Sequence, residues 1–301
     1  CDMDSTHIFL STTIPEFYGT VVAAQANFYR VYLDENHEYE NYDFSSYLLC
    51  TRRERLKKIG QNVMVGDRVI IKKSSLQDLR GLIISVLPRK TELSRPKVAN
   101  ADQILLLFPF KEPELEPWQS SRFLIKAEST LIPLVLCLNK ADLIKPDEQK
   151  KWKMRLKKWG YTPHLISILN IQGIQELYDC LQNKITIFAG PSGAGKSSLI
   201  NKLVPNIEQR VDKVSGKLRK GRHTTRHVEL FRLPKGGLVA DTPGFNQADL
   251  QCDPRKLINY FPEVRSQLKQ GECQFNNCLH RSEPNCIITV SYTHLRAHET
   301  C

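Results

Sequence analysis

The chain has 301 residues, enough for two or three domains, and its 41% hydrophobic and 25% charged shares are ordinary for a globular protein. It has no run of about 18 apolar residues and no basic, apolar leader, which argues against a transmembrane helix and a secretory signal. The formal net charge of +11 favours a polyanionic partner such as nucleic acid, although a solvated basic surface would give the same composition.

Residues 15–90 are predicted to form a small OB-fold β-barrel that binds RNA. Stretches rich in β-branched and aromatic residues, separated by turn residues, cover residues 18–24, 28–33, 47–51, 68–72 and 81–87. Five short strands in this length indicate a closed barrel, and such barrels commonly bind oligonucleotides. A basic run follows the third strand and consists of Arg52, Arg53, Arg55, Lys57 and Lys58. It fits a phosphate-contacting loop and a solvated loop equally well.

A basic stretch with two prolines, residues 88–99, predicts a linker to the next domain. Beyond it, strand and helix patterns alternate, which predicts an α/β nucleotide domain with a parallel sheet over residues 96–245. Strands are predicted at 104–108, 132–138, 164–169, 185–189 and 237–240, and helices at 117–129, 149–159, 174–181 and 197–203. The helix at 149–159 is strongly basic, which is compatible with RNA contact or with a solvated helix face.

A phosphate-binding P-loop, read as GPSGAGKSS, is predicted between the strand at 185–189 and the helix that follows. Its glycines let backbone N–H groups surround phosphate oxygens, and the helix start adds the positive end of its dipole. Lys196 is expected to contact the β- and γ-phosphates, and the Ser197 hydroxyl to bind Mg²⁺. The residues predicted to bind nucleotide here are Gly190, Pro191, Ser192, Gly193, Ala194, Gly195, Lys196, Ser197 and Ser198.

A guanine-reading tetrad, NKAD, follows the predicted strand at 132–138. The Asp142 carboxylate can accept hydrogen bonds from the N1–H and the exocyclic amine of guanine. Adenine lacks this donor pair, so Asp142 favours GTP and argues against a DNA-binding ATPase. Asn139 and Lys140 are expected to support the base pocket and the P-loop, and the backbone N–H of Ser167 to support the base.

The magnesium shell and the γ-phosphate contact are predicted downstream of the P-loop. In the DTPG sequence, Asp241 is expected to hold Mg²⁺ through water and the Gly244 N–H to sense the γ-phosphate. A threonine from the Gly-, Ser- and Lys-rich loop before it would complete the shell. Thr224 and Thr225 both qualify, and with Thr225 preferred the magnesium set is Ser197, Thr225 and Asp241.

The order of these motifs is informative, because ordinary GTPases run P-loop, switch threonine, DxxG and NKxD. Here NKxD comes first and DxxG last, which requires a circular permutation of the domain. The barrel followed by NKAD, the P-loop, GRHTT and DTPGF, with RPKVANADQILLLF before them, resembles the RsgA/YjeQ family of circularly permuted GTPases over roughly residues 15–288. The resemblance implies rRNA binding and GTP hydrolysis that the small ribosomal subunit stimulates during its late maturation. The alternative is an RNA-binding scaffold that GTP latches with negligible turnover.

Phe245 follows DTPG at the position where a glutamine could orient the attacking water. His223 is the best candidate for that role, as in the family, and the competing interpretation is that it packs or binds RNA. His223, Lys196 and Thr225 form the predicted catalytic set. Arg226 stands where the family more often has a third threonine.

A metal-binding pattern, Cys-x4-Cys-x-His-x5-Cys, comprises Cys273, Cys278, His280 and Cys286. Three thiolates and one imidazole suit a closed tetrahedral zinc site, and the same spacing occurs in the family. One structural Zn²⁺ is therefore expected to hold a small domain over residues 246–290, with Cys252 outside the pattern.

Residues 291–301 fit the family poorly and are expected to be a non-native tail, in which His294 and His298 do not form a metal pair. The chain begins with Cys1 rather than Met, which suggests that the native start is missing. The protein is expected to be a cytoplasmic monomer that binds GTP or GDP, Mg²⁺ and the small ribosomal subunit with its rRNA, and no membrane.

Overall fold

A computed structural model describes residues 16–34, 47–73, 79–205, 228–241, 254–275, 277–280 and 283–290. The chain forms two compact units that divide after Pro88. No helix within these stretches is long and apolar enough to cross a lipid bilayer.

The first unit is a closed barrel of five strands, as its turn-separated apolar stretches predict. The strands are β1 (Glu16–Gln25), β2 (Phe28–Leu33), β3 (Tyr47–Arg52), β4 (Arg68–Lys73) and β5 (Arg80–Val86). Their order is β1-β2-β3-β5-β4 with β4 paired back to β1, and only β3 and β5 run parallel. Side-chain alternation sends Val21, Val31, Leu48, Ile71 and Ile83 into the core. The predicted OB-fold barrel is confirmed.

The basic run after β3 differs from the predicted loop. Arg52 ends β3 and Arg53 precedes a short helix, α1 (Glu54–Lys58). In this helix Leu56 is buried in the barrel core and Arg55, Lys57 and Lys58 are exposed. One buried apolar side chain among the cations is enough to anchor a single helical turn. The high charge of this run does not by itself predict a helix.

The stretch expected to be a linker also differs, because it contains a hairpin that belongs to the second unit. Strands β6 (Glu92–Ser94) and β7 (Lys97–Ala99) pair antiparallel, with Ser94 opposite Lys97. Leu93 and Val98 face each other and are buried. Two prolines favour a linker here, but Pro96 lies in the two-residue turn, where proline is compatible with strand pairing.

The second unit is built on a six-stranded sheet. Its strands are β8 (Gln103–Pro109), β9 (Leu134–Asn139), β10 (His164–Leu165), β11 (Ile185–Ala189), β12 (Leu230–Arg232) and β13 (Leu238–Asp241). The order is β10-β9-β8-β11-β13-β12, and all neighbouring pairs are parallel except β12 with β13. Every residue of β8 is buried, as expected for a central strand covered on both faces. The predicted α/β domain is confirmed, although β10 is shorter than expected.

Helices cover the sheet where the apolar periodicity predicts them. They are α2 (Pro117–Glu128), α3 (Pro146–Lys158), α4 (Ile174–Leu181) and α5 (Lys196–Leu203). Phe123, Leu124 and Ala127 of α2 are buried together, as their spacing predicts. In contrast, Leu156 is the buried residue of α3, whose other positions are exposed or half-buried.

The C-terminal segment packs against α2. It contains α6 (Pro254–Leu257), a 3₁₀ turn (Ile258–Tyr260), α7 (Pro262–Leu268) and α8 (Ile287–Val290). Its apolar core includes Phe261, Val264 and Ile288, and Ile125 of α2 joins that core. The Glu128 carboxylate of α2 accepts hydrogen bonds from Arg265 Nη1 at 2.9 Å and from the Tyr161 hydroxyl at 3.1 Å.

Candidate nucleotide site and metal cluster

The loop between β11 and α5 adopts the tight, glycine-dependent path that its sequence predicts. Gly190 has φ +130, and a Cβ placed there would lie 2.1 Å from the Leu107 carbonyl oxygen of β8. Gly195 has φ +94, and its Cβ would lie 2.5 Å from Asn139 Nδ2. Glycine is therefore required at both positions, for backbone conformation and for space.

Lys196 concentrates positive charge within this loop. Its side chain is buried, with 7% exposure, and Nζ donates to the carbonyl oxygens of Gly190 and Pro191, each at 2.8 Å. The N-terminus of α5 begins at the same residue and adds its dipole and free N–H groups. An ammonium, a helix start and a glycine-rich loop together make an anion-binding site. Ser197 and Ser198 are exposed in the first turn of α5.

Asn139, the last residue of β9, connects the predicted base-reading tetrad to the P-loop. Its Nδ2 donates to the Ala194 carbonyl oxygen at 2.9 Å across 55 residues of sequence. Its Oδ1 is buried and has no hydrogen-bond partner among the described residues. A buried polar atom left unsatisfied costs about 1–3 kcal/mol, and such atoms in native structures call for an explanation such as a ligand.

Lys140 and Asp142 follow β9 in a turn that is fixed by backbone contacts. Lys140 takes a left-handed conformation with φ +60, and its Nζ donates to the Glu112 carbonyl oxygen. Asp142 lies in the 3₁₀ turn Ala141–Leu143, where its side chain is exposed. The Ala141 N–H donates to the Ile166 carbonyl oxygen at 3.1 Å, so the residue that follows β10 holds this turn.

Ser167 does not offer its backbone N–H as predicted. That N–H donates to the Gln172 carbonyl oxygen at 3.1 Å, and the Ser167 hydroxyl accepts from the Asn170 N–H at 3.1 Å. Both groups stabilise the turn that follows β10, which ends at Leu165.

The two predicted half-sites converge at one edge of the sheet. β9, which leads to Asn139 and Asp142, and β11, which leads to the P-loop, are both neighbours of β8 and run parallel to it. Their ends are therefore two strand spacings, about 10 Å, apart. The Asn139–Ala194 hydrogen bond joins them directly. This arrangement is the strand-end crevice where ligands bind in open α/β sheets.

Other predicted nucleotide contacts fall partly or wholly outside the described residues. The backbone of Asp241 ends β13 and pairs with Phe188 of β11. Its side chain is outside the described part of the chain. The same holds for the predicted switch residues, which are His223, Thr224, Thr225, Arg226, Gly244 and Phe245.

The four predicted metal ligands meet in one cluster. Their ligand atoms all lie within 4.8 Å of one another, with His280 Nδ1 3.4, 3.6 and 3.3 Å from the sulfurs of Cys273, Cys278 and Cys286. The Cys273 and Cys286 sulfurs are 3.9 Å apart. A tetrahedron with metal–sulfur bonds of about 2.3 Å has sulfur–sulfur edges of about 3.8 Å. The donor set and its dimensions fit a tetrahedral metal ion.

Burial raises the pKa of the Cys278 thiol to about 12, and the neighbouring Cys273 and Cys286 thiols add to this effect. Binding of a cation would reverse that preference, because a metal-bound thiol is deprotonated. Cys252, His294 and His298, which the sequence excluded from the ligand set, lie outside the described residues.

A further cavity beside the tetrad was not predicted. It has a volume of about 430 Å³ and lies between the segment that follows β8 and one face of α3. Its lining includes the buried Phe110 and the half-buried Trp152. Trp152, an aromatic residue in a highly charged helix, was the available sequence signal for this cavity. Phe110, which lines the same cavity, lies 42 positions away in the chain.

A family model described as RsgA GTPase matches residues 86–251. A relative in Microcystis aeruginosa, described as small ribosomal subunit biogenesis GTPase RsgA, is 57% identical over 275 residues, which are 91% of this chain and 75% of the relative. The crystal structure of YjeQ from Thermotoga maritima aligns with TM-score 0.74 and 30% identity, covering 92% of this chain and 91% of that one. YloQ, described as a circularly permuted GTPase, aligns with TM-score 0.73 and 27% identity, covering 96% and 90%.

Proposed function

The chain belongs to the RsgA GTPase family, a family of GTP hydrolases, and we propose that it binds and hydrolyses GTP during biogenesis of the small ribosomal subunit. The observation that carries this proposal is the hydrogen bond from Asn139 Nδ2 to the Ala194 carbonyl oxygen. It brings a base-reading tetrad and a phosphate-binding loop into one crevice, as a single bound nucleotide requires.

Within this proposal the phosphates bind the loop of residues 190–198, where Lys196 neutralises the β- and γ-phosphates. Displacement of the Lys196 ammonium from the Gly190 and Pro191 carbonyl oxygens toward phosphate would exchange two neutral acceptors for charged ones. Asp142 reads the guanine edge, and the exposed position of its carboxylate leaves it open to a base. The Gly244 N–H senses the γ-phosphate.

Mg²⁺ would be held by Ser197, Thr225 and Asp241, and when bound it would neutralise charge on the phosphates. Of these three, Ser197 lies at the start of α5, beside Lys196. His223 orients the attacking water, because Phe245 has no group that could do so.

The Cys273, Cys278, His280 and Cys286 cluster holds a structural zinc ion. Its donor set and its 3.3–3.9 Å separations support zinc, which takes three thiolates and an imidazole in closed tetrahedral sites. The ion would stabilise a segment whose own apolar core is small.

The domain boundaries that we propose are residues 15–90 for the RNA-binding barrel, 96–245 for the GTPase domain and 246–290 for the zinc domain, with 291–301 as a non-native tail. The name of the Microcystis relative supports the small ribosomal subunit as the partner. We propose that the contact is made through the rRNA of that subunit. A ribosome biogenesis factor of this type would act in the cytoplasm, and we propose that it does so as a monomer.

Multiple-turnover phosphate release from GTP, with and without purified small ribosomal subunits, tests the proposal. We expect slow release alone, stimulation by the subunit, and loss of both in Lys196→Ala. His223→Ala should lose the stimulation while it keeps nucleotide binding. Subunit binding that depends on GTP but proceeds without phosphate release would replace the enzyme by the latched scaffold. Absence of both binding and release would refute the proposed function.

A further inference from the structure

The cavity beside the base-reading tetrad is separate from the proposed nucleotide site. Phe110 and Leu115, both buried, contribute apolar lining, and Trp152 of α3 contributes an aromatic ring. The described P-loop residues and Asn139 to Asp142 do not line it. Its volume of about 430 Å³ falls in the range of roughly 300–1,000 Å³ that is typical of small-ligand pockets.

One face of α3 combines an aromatic ring with cations at the cavity. Lys151, Trp152 and Arg155 all line it, at positions that fall on one side of a helix. The Arg155 guanidinium carbon lies 5.4 Å from the centroid of the Trp152 ring. Proteins that bind single-stranded RNA stack unpaired bases on aromatic rings and on arginine guanidinium planes. The pair therefore presents a ring on which a base can stack and a cation beside it.

The charge around the cavity favours a polyanion. The cavity is lined by the cations Lys111, Lys151 and Arg155 and by the carboxylates Glu114 and Glu148. Further exposed cations on α3 and just before it are Lys145, Lys150, Lys153, Lys157 and Lys158, against Asp147. Leu156 is the buried residue of α3, so core packing does not explain which residues occupy most other positions of this helix. Closely spaced cations along one helix match the repeating charge of a phosphate backbone.

We propose that this cavity binds one nucleotide of single-stranded RNA, whose base stacks on Trp152 and whose phosphate contacts Lys151 and Arg155. An acidic peptide would satisfy the cations but would leave the Trp152 ring without a flat partner. The assignment rests on the proposed function for the source of the RNA, which is the rRNA of the small subunit. Binding of the RNA itself does not depend on GTP hydrolysis.

Photocrosslinking of the full chain to a short single-stranded RNA that contains 4-thiouridine tests where the RNA lies. We expect crosslinks in the peptide that spans residues 144–155, in addition to those in the barrel. Absence of crosslinks from this peptide overturns the proposal. An excess of polyglutamate that removes these crosslinks, and itself binds more tightly than the RNA, would assign the cavity to acidic peptides instead.

Fluorescence anisotropy with the same RNA tests the two groups separately. Trp152→Ala should weaken binding about tenfold, Trp152→Phe less, and Trp118→Ala, which removes a 54%-exposed tryptophan on α2, should not. Lys151→Gln should reduce the slope of log affinity against log salt by about 0.7, one phosphate contact to a single strand. Lys153→Gln is its matched control, because Lys153 is exposed on α3 but does not line the cavity.

Two results of the anisotropy measurement would also overturn the proposal, namely equal affinities for Trp152→Ala and Trp118→Ala, or equal effects of the two lysine substitutions. If Trp152→Ala fails to fold, Trp152→Phe and Lys151→Gln still decide the question. Intrinsic phosphate release should be unchanged in Lys151→Gln. A wild-type chain that crosslinks at residues 144–155 but releases no phosphate would refute the proposed function and leave this inference standing.

Discussion

Replacement of Asp142 by asparagine tests the proposed reading of guanine. The side chain is exposed in the Ala141–Leu143 turn, which the Ala141–Ile166 and Leu143–Lys140 backbone hydrogen bonds hold at 3.1 Å each. The substitution removes a charge without removing a described contact. We therefore expect the free energy of unfolding to change by no more than about 0.5 kcal/mol.

The loss of nucleotide affinity follows from two hydrogen bonds. The carboxylate would accept from the N1–H and the exocyclic amine of guanine, and hydrogen bonds to charged groups contribute about 1.5–3 kcal/mol each. Because Asp142 is exposed, the lower figure applies, which gives about 3 kcal/mol and a GDP affinity roughly a hundredfold weaker. An asparagine amide can donate to the carbonyl that xanthine has in place of the amine, so preference should shift toward xanthosine diphosphate.

Titration of the purified protein with fluorescent GDP, and competition with unlabelled xanthosine diphosphate, measures both changes. Asp147→Asn is the matched control, since Asp147 is an exposed carboxylate in the first turn of α3. A GDP affinity for Asp142→Asn within threefold of the wild type, or equal to that of Asp147→Asn, would refute the assignment of Asp142 to the base.

The remaining predictions concern the loop, the metal and the buried thiol. Gly190→Ala places Cβ 2.1 Å from the Leu107 carbonyl oxygen and should lower the free energy of unfolding by more than about 3 kcal/mol in thermal or urea denaturation. Gly60→Ala, where no atom lies within 4 Å, should lower it by about 1 kcal/mol, and equal losses would contradict the steric argument. Purified protein should contain one zinc ion by elemental analysis. A strong chelator or Cys286→Ser should unfold the C-terminal segment and make it sensitive to proteolysis. A segment that stays protected from proteolysis without metal would exclude a structural ion. Burial raises the pKa of Cys50 from 9.0 to about 12, so iodoacetamide should not modify it in the folded chain at pH 8. Because the folded state favours the protonated thiol, the stabilisation that comes from the raised Cys50 pKa is complete below pH 9 and is lost as pH rises toward 12. Rapid alkylation of Cys50 at pH 8, or a stability that does not decline between pH 9 and 12, would contradict this prediction.

Local sequence patterns were sufficient to predict a site when its functional residues all lie within one short segment. The loop at 190–198 contains the glycines whose positive φ values the structure requires, and the spacing of the four zinc-type ligands was enough to select them. The alternation of strands and helices predicted the parallel sheet, because burial on both faces demands continuous apolar strands such as β8. The order of motifs also indicated the permuted topology, which agrees with the similarity to YloQ.

The errors arose where a local signal competed with a contact elsewhere in the chain. The basic run after β3 was assigned to a loop, although burial of Leu56 in the barrel makes it a helix. Residues 88–99 were assigned to a linker, although Leu93 and Val98 pair in a buried hairpin. The Ser167 N–H was predicted to contact the base, although it donates to the Gln172 carbonyl oxygen.

The sequence by itself determined which chemical groups this protein carries: a phosphate-binding loop, a guanine-type tetrad, four metal-type ligands and a strongly basic helix. The tertiary structure alone decided how they meet. The Asn139–Ala194 hydrogen bond, the docking of Ile125 onto the C-terminal core and the cavity that Phe110 shares with Trp152 all join residues that are 42 to more than 100 positions apart. Such pairs leave no periodic trace in the sequence, because their proximity depends on strand order and helix packing rather than on the conformation of either segment.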